Sequence, residues 1–232
     1  CLVGSEMCIR DSYTISTLFW CPEIFAKQDF ASWIKTFNNH ITVISVSLAV
    51  YQKMVIRGST EGIVGIVNQK NNSLKSWQPH NKNPLVIVLE SIEKPGNLGA
   101  ILRTADASGV DAVIITEEHT DIHHPNVIRS SVGGFFSATL FVCSNQEAKH
   151  FLKKNKINIY AASLQKSILY NKVNYKASTA FVMGSEAKGL SDFWRDQEVT
   201  AVKIPMLGYV DSLNVSVATS VLAYETVRQR NS

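Results

Sequence analysis

The chain has 232 residues, which is enough for one substantial domain and a smaller one, and 45% of them are apolar while 18% are charged. This balance is typical of a globular protein, and no apolar run approaches the roughly 20 residues that a membrane-spanning helix needs, so we expect no membrane partner. The net charge of +4 permits a nucleic-acid partner but does not require one, because a solvated basic surface gives the same excess.

The first twelve residues, CLVGSEMCIRDS, resemble a translated sequencing adapter and lack the pattern of a signal peptide. We therefore expect residues 1–12 to lie outside the fold and the natural N-terminal part to be missing. Without Cys1 and Cys8, the remaining cysteines are Cys21 and Cys143, which are far apart and form no CxxC pair. This pattern predicts neither a disulfide framework nor a metal site, and it is typical of a cytoplasmic protein.

Short elements are predicted for residues 13–72, which we interpret as a first domain. DFASWIKTFNN is expected to form a helix, whereas HITVISVSLAVYQKM and EGIVGIVNQK are expected to form strands. The following stretch, NNSLKSWQPHNKNP, is polar and lacks periodicity. Residues 73–83 are therefore predicted to be a linker.

Apolar runs alternate with helical segments throughout residues 84–232. The runs are LVIVLE, DAVIIT, ATLFVC, INIYAAS, TAFVMG and VTAVKIP. Continuous apolar strands separated by helices predict an α/β fold, with a parallel sheet covered by helices on both faces. Ligands of such sheets bind beyond the carboxyl ends of the strands, so site residues are expected in the loops that follow strands.

The loop after LVIVLE leads into NLGAILRTADASG, a predicted helix that Asn97 should cap and Gly109 should end. The predicted buried stripe of this helix consists of Leu98, Ile101, Leu102 and Ala105. Arg103 lies off the stripe. It could form a surface pair with Asp106, worth at most about 1 kcal/mol, or face a phosphate or a developing oxyanion. The segment lacks a G-x-G-x-x-G pattern, which argues against an ordinary dinucleotide site.

Two later loops also carry polar residues. In GSEAKGLSDFW, Glu186 lies between two glycines and is either a solvated side chain or a site residue. After VKIP and the loop MLGYVD, Ser212 is expected to cap a final helix, which would place Asn214 in its first turn, facing a ligand. No role is evident for Asp211 beyond its place near a helix start. The predicted buried stripe of this helix consists of Leu213, Val217, Val221, Tyr224 and Val227.

Three of these segments, NLGAILRTADASG, VMGSEAKGLS and IPMLGYVDSLNVSVATSVLAYE, resemble in order the motifs of the SpoU/TrmH-type RNA 2′-O-ribose methyltransferases of the SPOUT superfamily. VIRSSVGGFFSATLFV is similar to the middle segment of that family. The resemblance covers about residues 84–230. It implies a C-terminal trefoil knot, S-adenosyl-L-methionine as cofactor, RNA as substrate, a homodimer and no metal. The preceding residues resemble the end of an L30e-like α/β substrate-binding domain, in which Lys53, Arg57 and Lys70 would contact RNA phosphates.

The resemblance also implies roles for single residues. Arg103 would be the main catalytic residue, and because a guanidinium stays protonated, we interpret it as stabilising an alkoxide and a neighbouring phosphate. Glu186 and Asn97 would orient the arginine and the loops, while Ser212 and Asn214 would line the pocket. The expected cofactor contacts, mostly through backbone groups, are Gly184, Ile204, Met206 and Leu213.

The expected function is therefore methylation of a ribose 2′-hydroxyl, with ribosomal RNA favoured over transfer RNA because of the appended first domain. One alternative is a non-catalytic RNA-binding protein that retains the knotted fold, although the complete motifs count against it. A doubly wound nucleotide enzyme is disfavoured by the missing glycine-rich pattern. A hydrolase that uses Cys143 with His123 or His124 is a third alternative, although Cys143 ends an apolar strand, as a core residue would.

Overall fold

The structure, a computed structural model, describes residues 13–37, 40–55, 61–70 and 72–232. The chain divides into two compact units, residues 1–71 and 72–232. The expected adapter segment and Arg57 lie outside the described residues. Within the described ranges, no helix is both long and apolar enough to cross a membrane.

The described residues of the first unit form a three-stranded sheet and two helices. Its strands are β1 (Ile15–Trp20), β2 (Thr42–Ser45) and β3 (Ile63–Val67), and its helices are α1 (Lys27–Ile34) and α2 (Leu48–Met54). The strand order is β2-β1-β3, with β2 parallel and β3 antiparallel to β1. The Trp20 and Phe30 rings stack with their centroids 4.5 Å apart, which holds α1 against the sheet. The predicted helix in DFASWIKTFNN and the predicted strand in EGIVGIVNQK are confirmed.

The prediction of one strand for HITVISVSLAVYQKM is wrong. The strand ends at Ser45, and α2 occupies the second half of the segment. Tyr51 on α2 is fully buried, and its hydroxyl accepts a hydrogen bond from the Gly62 amide at 3.0 Å. Burial of this side chain outweighs the local preference of β-branched residues such as Val50 for an extended backbone.

The second unit is built on a seven-stranded sheet in the order β6-β5-β4-β9-β7-β10-β8. Its strands are β4 (Leu85–Glu90), β5 (Ala112–Thr116), β6 (Leu140–Cys143), β7 (Asn158–Ala162), β8 (Ile168–Leu169), β9 (Thr179–Met183) and β10 (Val199–Lys203). All of its strand pairs are parallel, as predicted. The six apolar runs each contain one of these strands, whereas β8, with two residues, is too short to produce a recognisable pattern.

Helices cover both faces of this sheet. They are α3 (Pro95–Ser108), α4 (Pro125–Ser131), α5 (Gly134–Ser137), α6 (Asn145–Lys154) and α7 (Val215–Arg230). Every residue of β4, β5 and β9 is buried, as expected for strands at the centre of a covered sheet. On one face, Val86 and Val88 join the apolar cluster of Phe151 and Leu152 from α6. On the other face, α3 packs against α4 and α7.

The buried stripe predicted for α3 is confirmed, and Gly109 ends the helix in a left-handed conformation with φ of 68°. The helix α3 packs closely on α4, which explains the glycine at position 99 within α3. A Cβ atom at Gly99 would lie 1.9 Å from Ser130 Oγ and 2.5 Å from the Val127 carbonyl oxygen. Only glycine therefore allows this approach of the two helices.

The buried stripe predicted for the final helix is wrong. Val217 and Tyr224 are about half exposed, and the buried face of α7 instead carries Val215, Thr219, Leu222, Ala223 and Thr226. The Thr219 and Thr226 hydroxyls donate to carbonyl oxygens one turn earlier in the same helix, at 2.7 and 3.2 Å, so both can be buried without unpaired polar atoms. Val217 and Tyr224 of the predicted stripe are consequently left on the outer face of α7.

Candidate active site

A cleft of about 560 Å³ lies at the carboxyl ends of β7, β9 and β10. The last residues of these strands, Ala162, Met183 and Lys203, line it together with the loops 184–190 and 204–214. The first turns of α7 close one side. The volume is typical of a pocket for a ligand of cofactor size, and the position is the one expected for a parallel sheet.

The loop after β9 is a tight turn. The Gly189 amide donates to the Ser185 carbonyl at 2.9 Å, and the Lys188 amide donates to Ser185 Oγ at 3.1 Å. The turn brings the Gly189 backbone so close to Gly184 that a Cβ atom there would lie 2.2 Å from the Gly189 carbonyl carbon. The turn presents Glu186 at the cleft.

Glu186 joins the three loops that the sequence singled out. Its Oε1 atom accepts hydrogen bonds from Asn97 Nδ2 and from Asn214 Nδ2, each at 2.7 Å, and Asn214 Nδ2 also lies 3.2 Å from Asn97 Oδ1. The Lys94 ammonium forms an ion pair with the other carboxylate oxygen. Hydrogen bonding to Lys94, with a further contribution from the Asn97 amide, holds the pKa of Glu186 below its ordinary value, so the carboxylate is ionised at neutral pH.

Two predicted helix caps are wrong, and the difference explains this geometry. The helix α3 begins at Pro95, with Lys94 as N-cap, since proline is well suited to the first helical position. Asn97 thus lies within the first turn, with its side chain free to reach Glu186. The cap of α7 is Asn214, not Ser212: Asn214 Oδ1 accepts from the Ser216 amide at 2.9 Å, which turns the Asn214 NH₂ group toward Glu186.

The cleft brings together most of the predicted site residues. Its lining includes Gly184, Glu186, Ile204, Met206, Ser212, Leu213 and Asn214. Asn97 joins them through its hydrogen bonds to Glu186 and Asn214. Asp211, for which the sequence indicates no role, also lines the cleft and accepts a hydrogen bond from Ser212 Oγ at 3.0 Å.

Arg103 does not line the cleft. It is exposed on α3, where Gly134 at the start of α5 approaches its Cα atom closely. Among the described residues, Arg103 has no ion-pair or hydrogen-bond partner, so the alternative surface pair with Asp106 is not formed. Its guanidinium is available to a ligand that reaches this side of α3.

Sequence reasoning missed Lys94. A lysine before a proline looks like a solvated loop residue, and its side chain is indeed 68% exposed. The useful clue is Pro95 itself, because a proline at the first helical position places the preceding residue at the N-cap. Lys94 and Asn97 then start the same helix, and both reach Glu186.

The cysteine alternative gains no support from the geometry. Cys143 lies in a separate cleft of about 360 Å³ with Trp77 and His150. Burial, with the charge of Glu147 adding to it, raises the pKa of Cys143 to about 11, the opposite of what a thiolate nucleophile requires. The ring of His124 accepts a hydrogen bond from the Asn126 amide at the start of α4.

The described residues contain no group of three or more His, Cys, Asp or Glu side chains arranged to hold a metal ion.

A covered parallel sheet with a cleft at its carboxyl edge, closed by three polar loops, is the arrangement of α/β domains that bind ligands. The model of the SpoU rRNA Methylase family matches residues 84–224, and the chain belongs to this family. A protein of Staphylococcus epidermidis, provisionally named a TrmH family tRNA/rRNA methyltransferase, is 39% identical over 147 residues, which are 63% of this chain and 59% of that protein. The match thus spans about three-fifths of the length of this relative.

Two solved structures extend the similarity to both units. The AdoMet-bound rRNA methyltransferase of Sinorhizobium meliloti is 25% identical, with a TM-score of 0.85 over 97% of this chain and 85% of that one. A structure described as an RNA 2′-O ribose methyltransferase is 29% identical, with a TM-score of 0.82 over 99% of this chain and 88% of that one. The fold of residues 72–232 is therefore that of SpoU methyltransferases.

Proposed function

We propose that this protein transfers a methyl group from S-adenosyl-L-methionine to a ribose 2′-hydroxyl of RNA. One observation carries the proposal: Asn97, Glu186 and Asn214, from three distant segments, meet at a cleft on the carboxyl edge of the sheet. Membership of the SpoU family supports RNA methylation. The relative described as a 2′-O ribose methyltransferase supports the ribose hydroxyl as the acceptor.

The cleft suits S-adenosyl-L-methionine, which is the cofactor. Its lining combines the apolar side chains of Ile204, Met206 and Leu213 with carboxylates, as a ligand with a purine and a charged amino-acid end requires. Gly184, Ile204, Met206 and Leu213 would hold the cofactor, and the two loops that carry them are the segments that we propose to be knotted. The bound cofactor supplies a methyl group on a positively charged sulfur, which makes the methyl group reactive without a metal.

The residues around the cleft would have different roles in the reaction. Glu186, ionised and fixed by three donors, holds the starts of α3 and α7 together and orients their amides. Asn214 and Ser212 line the space in which a 2′-hydroxyl would lie. The exposed Arg103 would stabilise the negative charge that develops on the ribose oxygen as its proton passes to solvent water, and would also bind the neighbouring phosphate.

We further propose a homodimer formed through the outer face of α7. Val217 and Tyr224 are half exposed there, and the nearby loop exposes Leu207 and Tyr209 almost completely. An apolar surface of this kind is typical of an interface. Thr104, next to Arg103, bonds Ser220 of α7 at 2.9 Å, so Arg103 borders this face and would lie close to the partner protomer.

We propose ribosomal RNA as the substrate, held by an L30e-like first unit. The rRNA methyltransferase of S. meliloti matches 97% of the chain and therefore includes that unit. Lys53 is exposed, and Lys70 lies over the Tyr13 ring with its ammonium 4.6 Å from the ring centroid. Lysines on such a surface would contact RNA phosphates and position the substrate.

The test combines donor binding with methyl transfer to ribosomal RNA that lacks the modification. Arg103→Ala should bind S-adenosyl-L-methionine normally in calorimetry but lose methyl transfer by about 100-fold or more, as expected when one oxyanion donor is removed. Arg103→Lys should fail as well, because lysine lacks the planar fork. Arg129→Ala, which removes an exposed arginine from the neighbouring α4, is the matched control and should keep its activity.

Near-normal turnover by Arg103→Ala would refute the catalytic assignment. If the unaltered protein binds RNA but gives no heat with S-adenosyl-L-methionine, it is a non-catalytic RNA-binding protein and the proposed reaction is wrong.

A further inference from the structure

A buried glutamate that the reaction does not use lies beside the cleft. Glu90 is the last residue of β4 and is only 3% exposed. Its Oε2 atom accepts from the Ser191 amide at 2.8 Å, while Oε1 accepts from Ser191 Oγ and from Asn145 Nδ2, each at 2.6 Å. A buried carboxylate is costly unless donors surround it, so these three bonds have a definite structural role.

The partners of Glu90 are themselves locked in one orientation. Asn145 Oδ1 accepts a hydrogen bond from Trp194 Nε1 at 3.2 Å, and Trp194 is 1% exposed. If the Asn145 amide turned over, its NH₂ group would face the indole N–H, and two donors would oppose each other. Both the Asn145 NH₂ group and the Ser191 amide must therefore point at an acceptor at position 90.

This network holds one end of the loop that lines the cleft. Ser191 directly follows Leu190, which lines the cleft and whose carbonyl oxygen accepts from Arg195 Nη2 at 3.0 Å. The Leu190 amide is also part of the backbone wall against Gly184. The loop is thus fixed by β9 at its start and by Glu90 at its end, with Glu186 between the two.

We propose that Glu90 is a positioning residue for the methyl-donor cleft: by binding Ser191 it sets the position of the loop 184–190 and thereby the affinity for the donor. The identity of the donor rests on the proposed function, whereas the ordering of the loop does not. Glu90 itself contacts neither the donor nor the RNA.

Glu90→Gln tests the proposal with little change in shape. A carboxamide has one acceptor oxygen, so in either orientation its NH₂ group faces the Ser191 amide or the Asn145 NH₂ group. We expect the dissociation constant for S-adenosyl-L-methionine to rise about tenfold or more in calorimetry. Amide hydrogen exchange in residues 185–191 should accelerate about tenfold or more, while exchange in β5 stays unchanged. Ser191→Ala, which removes only the Oγ bond, should give a smaller change of the same kind.

The double variant Glu90→Gln with Asn145→Asp provides a rescue that a general loss of stability would not show. The acid and the amide exchange places in this variant. The carboxylate introduced at position 145 can accept from both Trp194 Nε1 and the NH₂ group introduced at position 90, while the amide oxygen at position 90 accepts from the Ser191 amide. Donor affinity and slow exchange in residues 185–191 should return to within about threefold of the unaltered protein.

Gln229→Leu is the control for stability alone. It removes three hydrogen bonds, one accepted from the Tyr175 amide and two donated to the Val173 carbonyl and to Glu225 Oε1, two turns beyond the last cleft-lining residue of α7. It should lower the melting temperature yet leave donor affinity within about twofold.

Three results would overturn the role of Glu90: unchanged exchange in residues 185–191 of Glu90→Gln, no rescue by the double variant, or an equal loss of donor affinity in Gln229→Leu. If the unaltered protein does not bind S-adenosyl-L-methionine, the proposed function is wrong. In that case the exchange measurements on Glu90→Gln and the double variant still decide whether Glu90 orders the loop.

Discussion

Replacing Gly184 by alanine tests whether the cleft depends on direct contact between two backbone segments. The new Cβ atom would lie 2.2 Å from the Gly189 carbonyl carbon and 2.4 Å from the Leu190 nitrogen. Carbon atoms normally approach no closer than about 3.5 Å, so the Gly189 backbone would have to move by about 1.3 Å. No flexible side chain can move aside in its place.

The cost follows from this displacement. Overpacking usually destabilises by about 1–3 kcal/mol, and a purely backbone obstacle favours the upper end, about 3 kcal/mol. For a unit of this size each kcal/mol shifts the melting temperature by about 2–4 °C, so we expect a decrease of about 6–12 °C. The same movement distorts the cleft wall, so affinity for S-adenosyl-L-methionine should fall about tenfold, or by about 1.4 kcal/mol.

Thermal unfolding and calorimetric titration with S-adenosyl-L-methionine measure the two effects. Gly96→Ala is the matched control, because no atom lies within 4 Å of a Cβ at that position in the first turn of α3. It should leave donor affinity unchanged and stability equal or slightly higher, by less than about 1 kcal/mol. A Gly184→Ala protein that melts within about 2 °C of the original and binds the donor equally well would refute the reasoning.

Two further predictions concern ionisation. Lys94→Met removes the main cause of the low pKa of Glu186, so that pKa should rise toward 4.5. A carboxylate with a depressed pKa stabilises the fold above its ordinary pKa, and this contribution is lost as the pH falls through the depressed value. The original protein should therefore have a higher melting temperature than Lys94→Met at pH 7, and the difference should disappear below about pH 4.5. Lys188→Met, in the same loop as Glu186, should show no such dependence on pH. A difference between the original protein and Lys94→Met that is constant with pH would contradict the ion pair. With its pKa near 11, Cys143 should react with thiol reagents at pH 7 about 100-fold more slowly than free cysteine, measured on its peptide by mass spectrometry, and an equal rate would show that the thiol is not held protonated.

Much of the second unit could be predicted because its strands are continuous apolar runs. A strand buried on both faces is apolar throughout, so it can be recognised from its own residues alone. Six of the seven strands and their parallel arrangement are accordingly confirmed. The convergence of Asn97, Glu186 and Asn214 follows from the same argument, since their loops all follow parallel strands. The catalytic role of Arg103 remains a prediction.

The errors arise where tertiary contacts overrule local preference. Asn97 and Ser212 are both good caps by residue type, but Pro95 starts one helix earlier and Asn214 starts the other later. The predicted stripe on α7 rests on apolar residues alone, whereas Thr219 can be buried because it bonds its own helix. Such choices depend on which hydrogen bonds the folded chain completes, and a linear pattern does not contain that information.

The contact between Asn97 and Asn214 joins residues 117 positions apart in the chain. Because α7 and the loop before it supply one whole side of the cleft, a nascent chain that emerges from the ribosome cannot complete this cleft until nearly all of the second unit has been synthesised. Most of the sheet can form earlier, but its ligand can stabilise it only after the last helix has docked. Completion of the cleft is therefore a late event in the biosynthesis of this protein.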